Sequence, residues 1–288
     1  MKTVVMTGGT AGFGAVAAKR IFDTPNTRLI LGARDNKNSS IETLPLDLAS
    51  LSNVRSFVQS LTKKLDSRTI DILILNAGAQ FGTTRHRTSD GFESTFAINH
   101  LAHYLLLRLL APSIAKNATI VITTSDVHDP KQVPFGPKEL DPEALAYPND
   151  TSGFMTGIRA YASSKLCNLL TARAFENSFD TPSNGVRVIA YNPGLTRGTS
   201  LFRAWPWWAK LMIGVASKLR SVNTLEQAAY AVADLGLGTI VPPSGRIYAS
   251  LVKGKLTWPD TSELAQSDTA MRGLWVESAQ MVGLPEQA

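Results

Sequence analysis

Residues 3–14 read TVVMTGGTAGFG. A short apolar, β-branched run meets a cluster of small residues, and a helix-like pattern takes over from residue 12. That order predicts a buried strand over 3–7, a tight glycine loop, and a helix near 12–23. Small residues at Gly8, Gly12 and Gly14 let backbone N–H groups come close to an anion. The positive end of the following helix then favours a pyrophosphate there. Gly8, Thr10, Ala11, Gly12, Phe13 and Gly14 are therefore candidate dinucleotide contacts. A strand before the glycines and an amphipathic helix after them are the context such a motif requires.

The same alternation continues along the chain. Strands are expected at 28–33, 71–76, 118–124, 186–191 and 245–250, with a short one at 42–47. Helices are expected near 50–65, 90–111, 158–179 and 223–236. Several strand runs, such as DILILN and ATIVITT, are continuously apolar. That is the mark of strands covered on both faces. The expected fold class is α/β, a doubly wound parallel sheet of about seven strands with helices on both faces, in a single domain over 1–288. Two segments break the rhythm. Residues 126–157 carry five prolines and read as a loop insertion. LFRAWPWWAKLMIGVAS (201–217) reads as a lid over an apolar substrate, within a segment of about 196–222. A helix packed on the core and a peripheral membrane contact are the other readings of that stretch.

Composition excludes several classes. The 288-residue chain is 44% hydrophobic and 18% charged, ordinary values for a soluble protein with a sizeable core. Its formal charge of +6 suits anionic ligands. The basic residues are scattered, though, with no dense run interleaved with aromatics, so nucleic acid is not an expected partner. One cysteine, Cys167, excludes an intramolecular disulfide and a cysteine-rich zinc site, and fits a reducing, cytoplasmic setting. The glycines follow the first apolar run too soon for a signal peptide. No uncharged apolar stretch is long enough to span a bilayer. His100, His103 and His128 lack acidic or cysteine companions at useful spacing, so no metal is expected.

The second strand ends LGARD, where dinucleotide sites discriminate the adenosine ribose. Ala33 stands where an acid would grip the ribose hydroxyls of NAD, and Arg34 follows it. A guanidinium suits the extra phosphate of NADP, so NADP(H) is the expected cofactor. NAD(H) stays possible through Asp35. Asp47 and Leu48, after the third strand, are further candidates. Asp47 is placed either to accept from the adenine amino group or to cap the helix of DLASLSNV. YASSK (161–165) sets a phenol and an ammonium four positions apart, on one face of a helix. A cation there is expected to lower the pKa of Tyr161 toward the working range and make it a usable acid.

TGGTAGFG, LDLAS, NAG (76–78), INHLAHYLL with Asn99, Ser125, YASSK and NPG (192–194) occur in this order over nearly the whole chain. In that set the sequence resembles the short-chain dehydrogenase/reductase family. Its branch of retinol dehydrogenases and protochlorophyllide reductases is the most similar. Against the latter the chain has Ile98 for threonine and lacks additional cysteines, though Cys167 stands at a cysteine position of theirs. The resemblance implies a Rossmann-like fold and a catalytic set of Asn99, Ser125, Tyr161 and Lys165. It implies cofactor contacts at Asn76, Ala77, Gly78, Tyr161, Lys165, Pro193, Gly194 and Thr196. The register of the last is shared with Thr199.

Together these point to hydride transfer between a nicotinamide and a carbonyl or alcohol of a small hydrophobic substrate. Tyr161 would handle the proton, Lys165 would hold its pKa down, and Ser125 would hydrogen-bond the substrate oxygen. Asn99 would anchor a relay water. Two alternatives stand beside this: reduction of a C=C bond in a conjugated ring, and an NADP(H)-sensing module without turnover. A homodimer and a monomer are both open.

Overall fold

The apolar strands sort their side chains by alternation, as a sheet covered on both faces requires. In β1 (Lys2–Thr7), Val4 and Met6 enter one core and Val5 the other. The chain continues through α1 (Gly12–Phe22), β2 (Thr27–Ala33), β3 (Glu42–Pro45), α2 (Leu51–Leu65) and β4 (Ile70–Leu75). In β4, Ile72 and Ile74 join Val4 and Met6, while Leu73 and Leu75 join Val5. This computed structural model describes residues 1–35, 40–178, 184–198 and 222–286.

Helix α3 (Ser94–Phe96) passes through a π-helical turn, Ala97–Leu101, into α4 (Ala102–Leu110), and β5 (Ile114–Thr123) follows. Then come α5 (Pro142–Ala146), α6 (Phe154–Ser178), β6 (Arg187–Asn192), α7 (Leu225–Leu237), β7 (Tyr248–Val252), β8 (Lys255–Thr257), α8 (Glu263–Gln266) and α9 (Asp268–Met281). Among the described residues the strands form one sheet in the order β3-β2-β1-β4-β5-β6-β7-β8. Every neighbouring pair is parallel except β7 and β8. α1 and α7 cover one face with Ala17, Ile21, Ala228 and Val232. Residues of α2, α4, α6 and α9, among them Phe57, Tyr104, Phe175 and Trp275, cover the other. Strand order reverses between β1 and β4. That switch point opens a crevice at the C-terminal ends of the two strands.

Several elements differ from expectation, among them two unexpected C-terminal helices, α8 and α9, and four differences have a clear local reason. The sheet has eight strands instead of about seven, because Lys253 (φ 51°) and Gly254 (φ 72°) form a two-residue turn that folds β8 back on β7. β7 starts at Tyr248 instead of 245, because a turn closed by Arg246 N–H on Pro243 O delays it. β5 starts early, at Ile114. It absorbs an irregularity near Asn117, whose φ is 60°, where its register against β4 shifts. α6 begins at Phe154, so the last residues of the expected 126–157 loop are helical. A Cβ on Gly157 would lie 2.3 Å from Phe81 O, which is how closely this first turn packs on the 81–82 backbone.

The C-terminal helix is fastened by an aromatic contact. Trp275 meets Tyr104 edge-on at 4.9 Å between ring centroids, and the Arg108 guanidinium lies 5.1 Å from the Trp275 ring. Tyr104 Oη donates to Trp275 O at 3.0 Å and His100 Nε2 meets Ser278 Oγ at 2.8 Å. Truncating Trp275 to Ala should cost about 3–5 kcal/mol, the usual range for a buried aromatic. Urea denaturation of Trp275→Ala against wild type measures it, and a loss below about 1 kcal/mol would show α9 to be a passive cover.

Candidate active site

The crevice between β1 and β4 is walled by backbone. Gly8 (φ 68°) and Gly12 (φ 56°) take left-handed conformations that shape the turn into α1. A Cβ on Gly14 would sit 2.0 Å from Gly8 O and 2.7 Å from Asn76 Nδ2. Only glycine fits there. Ala11 caps α1 without a side-chain acceptor, so the first N–H groups of the helix are not taken by a cap. Thr10 and Ala11 are exposed, and Phe13 packs on the core under α1. Arg34 and Asp35 are exposed just beyond β2. Asp47 does not cap α2. Its Oδ1 accepts from Ala49 N at 3.0 Å in a local turn, while Ser50 Oγ caps the helix through Asn53 N at 3.2 Å. The Leu48 side chain is buried in the core.

One hydroxyl organises the crevice. Thr7 Oγ1 accepts from Asn76 N at 3.0 Å and from Ala77 N at 3.1 Å. Both lone pairs are then used, so its hydrogen goes to His103 Nε2, 3.0 Å away. His103 consequently carries its proton on Nδ1 and donates it to Asn99 O at 3.1 Å. Burial holds His103 neutral, pulling its pKa down to about 4, with a smaller push from Lys165.

Asn99 lies in the π-helical turn, a geometry that often marks functional positions. Its Oδ1 accepts from Ala79 N at 2.7 Å, and its Nδ2 donates to Ala79 O at 2.9 Å and Ser164 Oγ at 3.0 Å. Ser164 in turn donates to Tyr161 O at 2.7 Å. The Asn99 amide therefore ties the loop after β4 to α6, and both its hydrogens are engaged. A Cβ on Gly78 would stand 3.4 Å from Asn99 Oδ1 and 3.5 Å from Lys165 Nζ, so these two groups meet over a position without a side chain.

Lys165 is buried and donates to Thr123 O at 3.2 Å; Asn168 Nδ2 donates to the same carbonyl at 3.0 Å. Its ammonium lies 5.5 Å from the centroid of the Tyr161 ring. Burial pulls Lys165 down to about 8. Tyr161 moves the other way from expectation: burial pushes the phenol up, and the Asp126 carboxylate adds to it. The spacing in YASSK is right and the inferred sign is not. The cation sits over the ring face, and desolvation outweighs it.

Ser125 follows β5 and caps the 3₁₀ turn Asp126–His128. Its Oγ donates to Asp126 Oδ1 at 3.2 Å and faces Val127 N at 3.5 Å. His128 Nδ1 donates to Ser125 O at 2.7 Å, and His128 Nε2 accepts from Ser262 N at 3.4 Å. In the loop after β6, Gly194 (φ 63°) donates to Asn192 Oδ1 at 2.9 Å. Thr196 Oγ1 turns back onto Pro193 O at 3.1 Å. Thr199 and the 201–217 stretch lie outside the described residues. Among the described residues no group of three or more His, Cys, Asp or Glu is arranged to hold a metal. Thr7, Ser164 and Asp126 were not singled out from sequence, and His103 was weighed only as a metal ligand. His103 four past Asn99 and Ser164 directly before Lys165 were the signals available.

A family profile described as "short chain dehydrogenase" matches residues 2–134. A short-chain dehydrogenase/reductase from Pestalotiopsis microspora is 31% identical over 221 residues, 70% of this chain and 72% of that protein. A chloroplastic protochlorophyllide reductase from Daucus carota is 28% identical over 328 residues, 98% of this chain and 78% of that protein. In fold, the chain is similar to an NADPH-bound carbonyl reductase from chicken fatty liver, at a TM-score of 0.61 and 16% identity. That match covers 90% of this chain and 94% of the other.

Lys165 carries a stability consequence with a definite sign. Its pKa falls from 10.5 in the unfolded chain to about 8 in the fold. Between those values the unfolded chain binds more protons, so stability rises with pH there. Below pH 8 the full cost of the buried charge is present. Lys165→Met should therefore stabilise the cofactor-free protein by about 3 kcal/mol at pH 7. The gain should shrink by pH 10, as urea denaturation at the two pH values would read. A destabilised variant at pH 7 would mean the ammonium is held favourably.

Proposed function

The chain belongs to the short-chain dehydrogenase/reductase family, and from that premise we propose that it is an NADP(H)-dependent oxidoreductase acting on the carbonyl or alcohol of a hydrophobic substrate, with Tyr161 as its general acid/base. The observation that carries this reading is a hydrogen-bonded chain from the glycine turn to the lysine. Asn76 Nδ2 donates to Gly8 O at 3.1 Å, Thr123 Oγ1 to Asn76 Oδ1 at 3.0 Å, and Lys165 Nζ to Thr123 O at 3.2 Å. The dinucleotide edge and the Tyr161–Lys165 pair are thus parts of one rigid frame. Preorganisation of that kind is what hydride transfer asks of a protein.

The residues fit a nicotinamide dinucleotide. Gly8, Gly12 and Gly14 leave a backbone cradle, the start of α1 offers uncapped N–H groups, and Gly78 leaves room before Asn99 and Lys165. Bound along this edge, a nicotinamide dinucleotide would supply or take up the hydride. Tyr161 gives its proton to the oxygen of a reduced carbonyl. A phenol pushed up by burial stays protonated at neutral pH, the form that reduction needs. Lys165, near 8, is still largely charged at neutral pH and favours the phenolate left behind. Ser125 lines the substrate oxygen. Cys167 is fully buried, with its thiol pushed up by that burial. It is a poor proton donor to a conjugated ring, and the carbonyl reading is preferred on that account. Arg34, exposed beyond β2, supports NADP(H) over NAD(H).

NADPH oxidation over a panel of hydrophobic ketones and aldehydes tests the assignment. Tyr161→Phe should lower kcat by about 100-fold or more, the usual worth of a positioned general acid. Equal rates would remove Tyr161 from the role. Tight NADPH binding with no turnover of any carbonyl would favour a sensing module. Arg34→Ala should raise the KM for NADPH by roughly tenfold and leave that for NADH nearly unchanged, since one charge-assisted contact is worth about 1.5–3 kcal/mol.

A further inference from the structure

The hydroxyl of Ser125 has one hydrogen and two lone pairs. The hydrogen goes to Asp126 Oδ1 at 3.2 Å, and Val127 N–H faces one lone pair at 3.5 Å. What remains for a ligand is a lone pair. A carbonyl oxygen has no hydrogen to give it, and the oxyanion formed on reduction needs donors, not acceptors. Asp126 is half-buried, and among the described residues it forms no salt bridge. Its field reaches Tyr161 on α6, Tyr248 on β7 and His128 in its own turn. A simple ketone therefore meets a serine already turned away and a carboxylate beside the developing charge.

We propose that the substrate carries a hydrogen-bond donor, a hydroxyl or ammonium, adjacent to the reacting carbonyl, and that this donor docks on Asp126 and releases the Ser125 hydrogen to the carbonyl oxygen. The inference rests on the reductase reading above and narrows its substrate class to α-hydroxy or α-amino ketones and the matching alcohols. The exchange is one of hydrogen-bond partners only. The carbonyl carbon receives the hydride of NADPH, its oxygen receives the Tyr161 proton, and Ser125 and Asp126 keep their protonation states. Asp126 is thus a specificity-determining residue, rewarding the substrate that satisfies it and penalising the one that does not. A site built around a polar group rejects analogues lacking the complementary donor, because its own group is left unpaired.

The test compares acetophenone with 2-hydroxyacetophenone and 2-aminoacetophenone in NADPH oxidation by wild type, Asp126→Ala and Asp126→Asn. Wild type should favour at least one donor-bearing ketone by tenfold or more in kcat/KM, and the two arms separate hydroxyl from ammonium. Asp126→Ala should erase that preference, partly by raising the rate on acetophenone as the Ser125 hydrogen becomes free. Asp126→Asn, which keeps an acceptor without the charge, should retain part of the preference for the hydroxy ketone and lose that for the amino ketone. Equal wild-type rates on all three, or an unchanged preference in Asp126→Ala, would overturn the inference and leave the reductase reading standing. No wild-type turnover on any carbonyl would overturn the reductase reading and this inference with it. A readout free of turnover is calorimetric binding of acetophenone and 2-hydroxyacetophenone to the NADP⁺ complex of wild type and Asp126→Ala. Roughly tenfold tighter binding of the hydroxy ketone to wild type, lost in Asp126→Ala, is expected, and equal binding of the two ketones to wild type would overturn docking on Asp126.

Discussion

The Thr7 hydroxyl, saturated by two backbone N–H groups from the end of β4 and by His103, holds the site together. Neighbouring strands diverge at a topological switch point, and something must fix how far. Here one side chain on β1 does so by taking the first two amides beyond β4. The same oxygen reaches across to His103 and through it to the carbonyl of Asn99. Thr7, His103 and Asn99 are buried and the two amides half-buried, and a buried polar group left unpaired costs about 1–3 kcal/mol. The width of the crevice and the position of the π turn are therefore set together.

Much of this was legible in the sequence, for reasons that differ by element. β1, β4 and β6 are runs of apolar residues bounded by glycine or polar residues, and period-two sorting into two cores needs no further signal. The glycine turn was legible because steric exclusion is local: a Cβ on Gly14 collides with Gly8 O whatever the rest of the protein does. β8 was missed because its turn, Lys253–Gly254, lacks the Asn or Asp that usually announces a primed turn. The role of Asp47 was ambiguous because an aspartate shortly before a helix suits a cap as well as a ligand contact; the structure gives the cap to Ser50, three residues on, and leaves Asp47 in a local turn.

The misread sign at Tyr161 has a different origin. Sequence spacing shows which groups are near, and it does not show how dry the place is. Four residues of helix bring the ammonium close, but both side chains project from α6, with Lys165 reaching the end of β5, where burial opposes whichever form is charged. The phenol rises and the lysine falls, so each is pushed toward its neutral form. Pairs pushed this way divide the labour of proton transfer. Under the reductase reading proposed above, a phenol kept protonated would give the proton, and a lysine near 8 would help to replenish it.

The hydrogen-bond assignments also separate what is fixed from what a ligand can change. Thr7, His103, Asn99, Ser164 and Asn76 are bound in one consistent pattern of donors and acceptors, and nearly every direction follows from its neighbour. Reversing any one of them orphans a buried group. Ser125 is the exception. Its hydrogen rests on a half-buried carboxylate that a substrate could reach, and its carbonyl is pinned from behind by His128. The backbone of that residue is immobilised while its hydroxyl keeps a choice of partner, the arrangement expected of a position where a rigid frame meets a variable substrate.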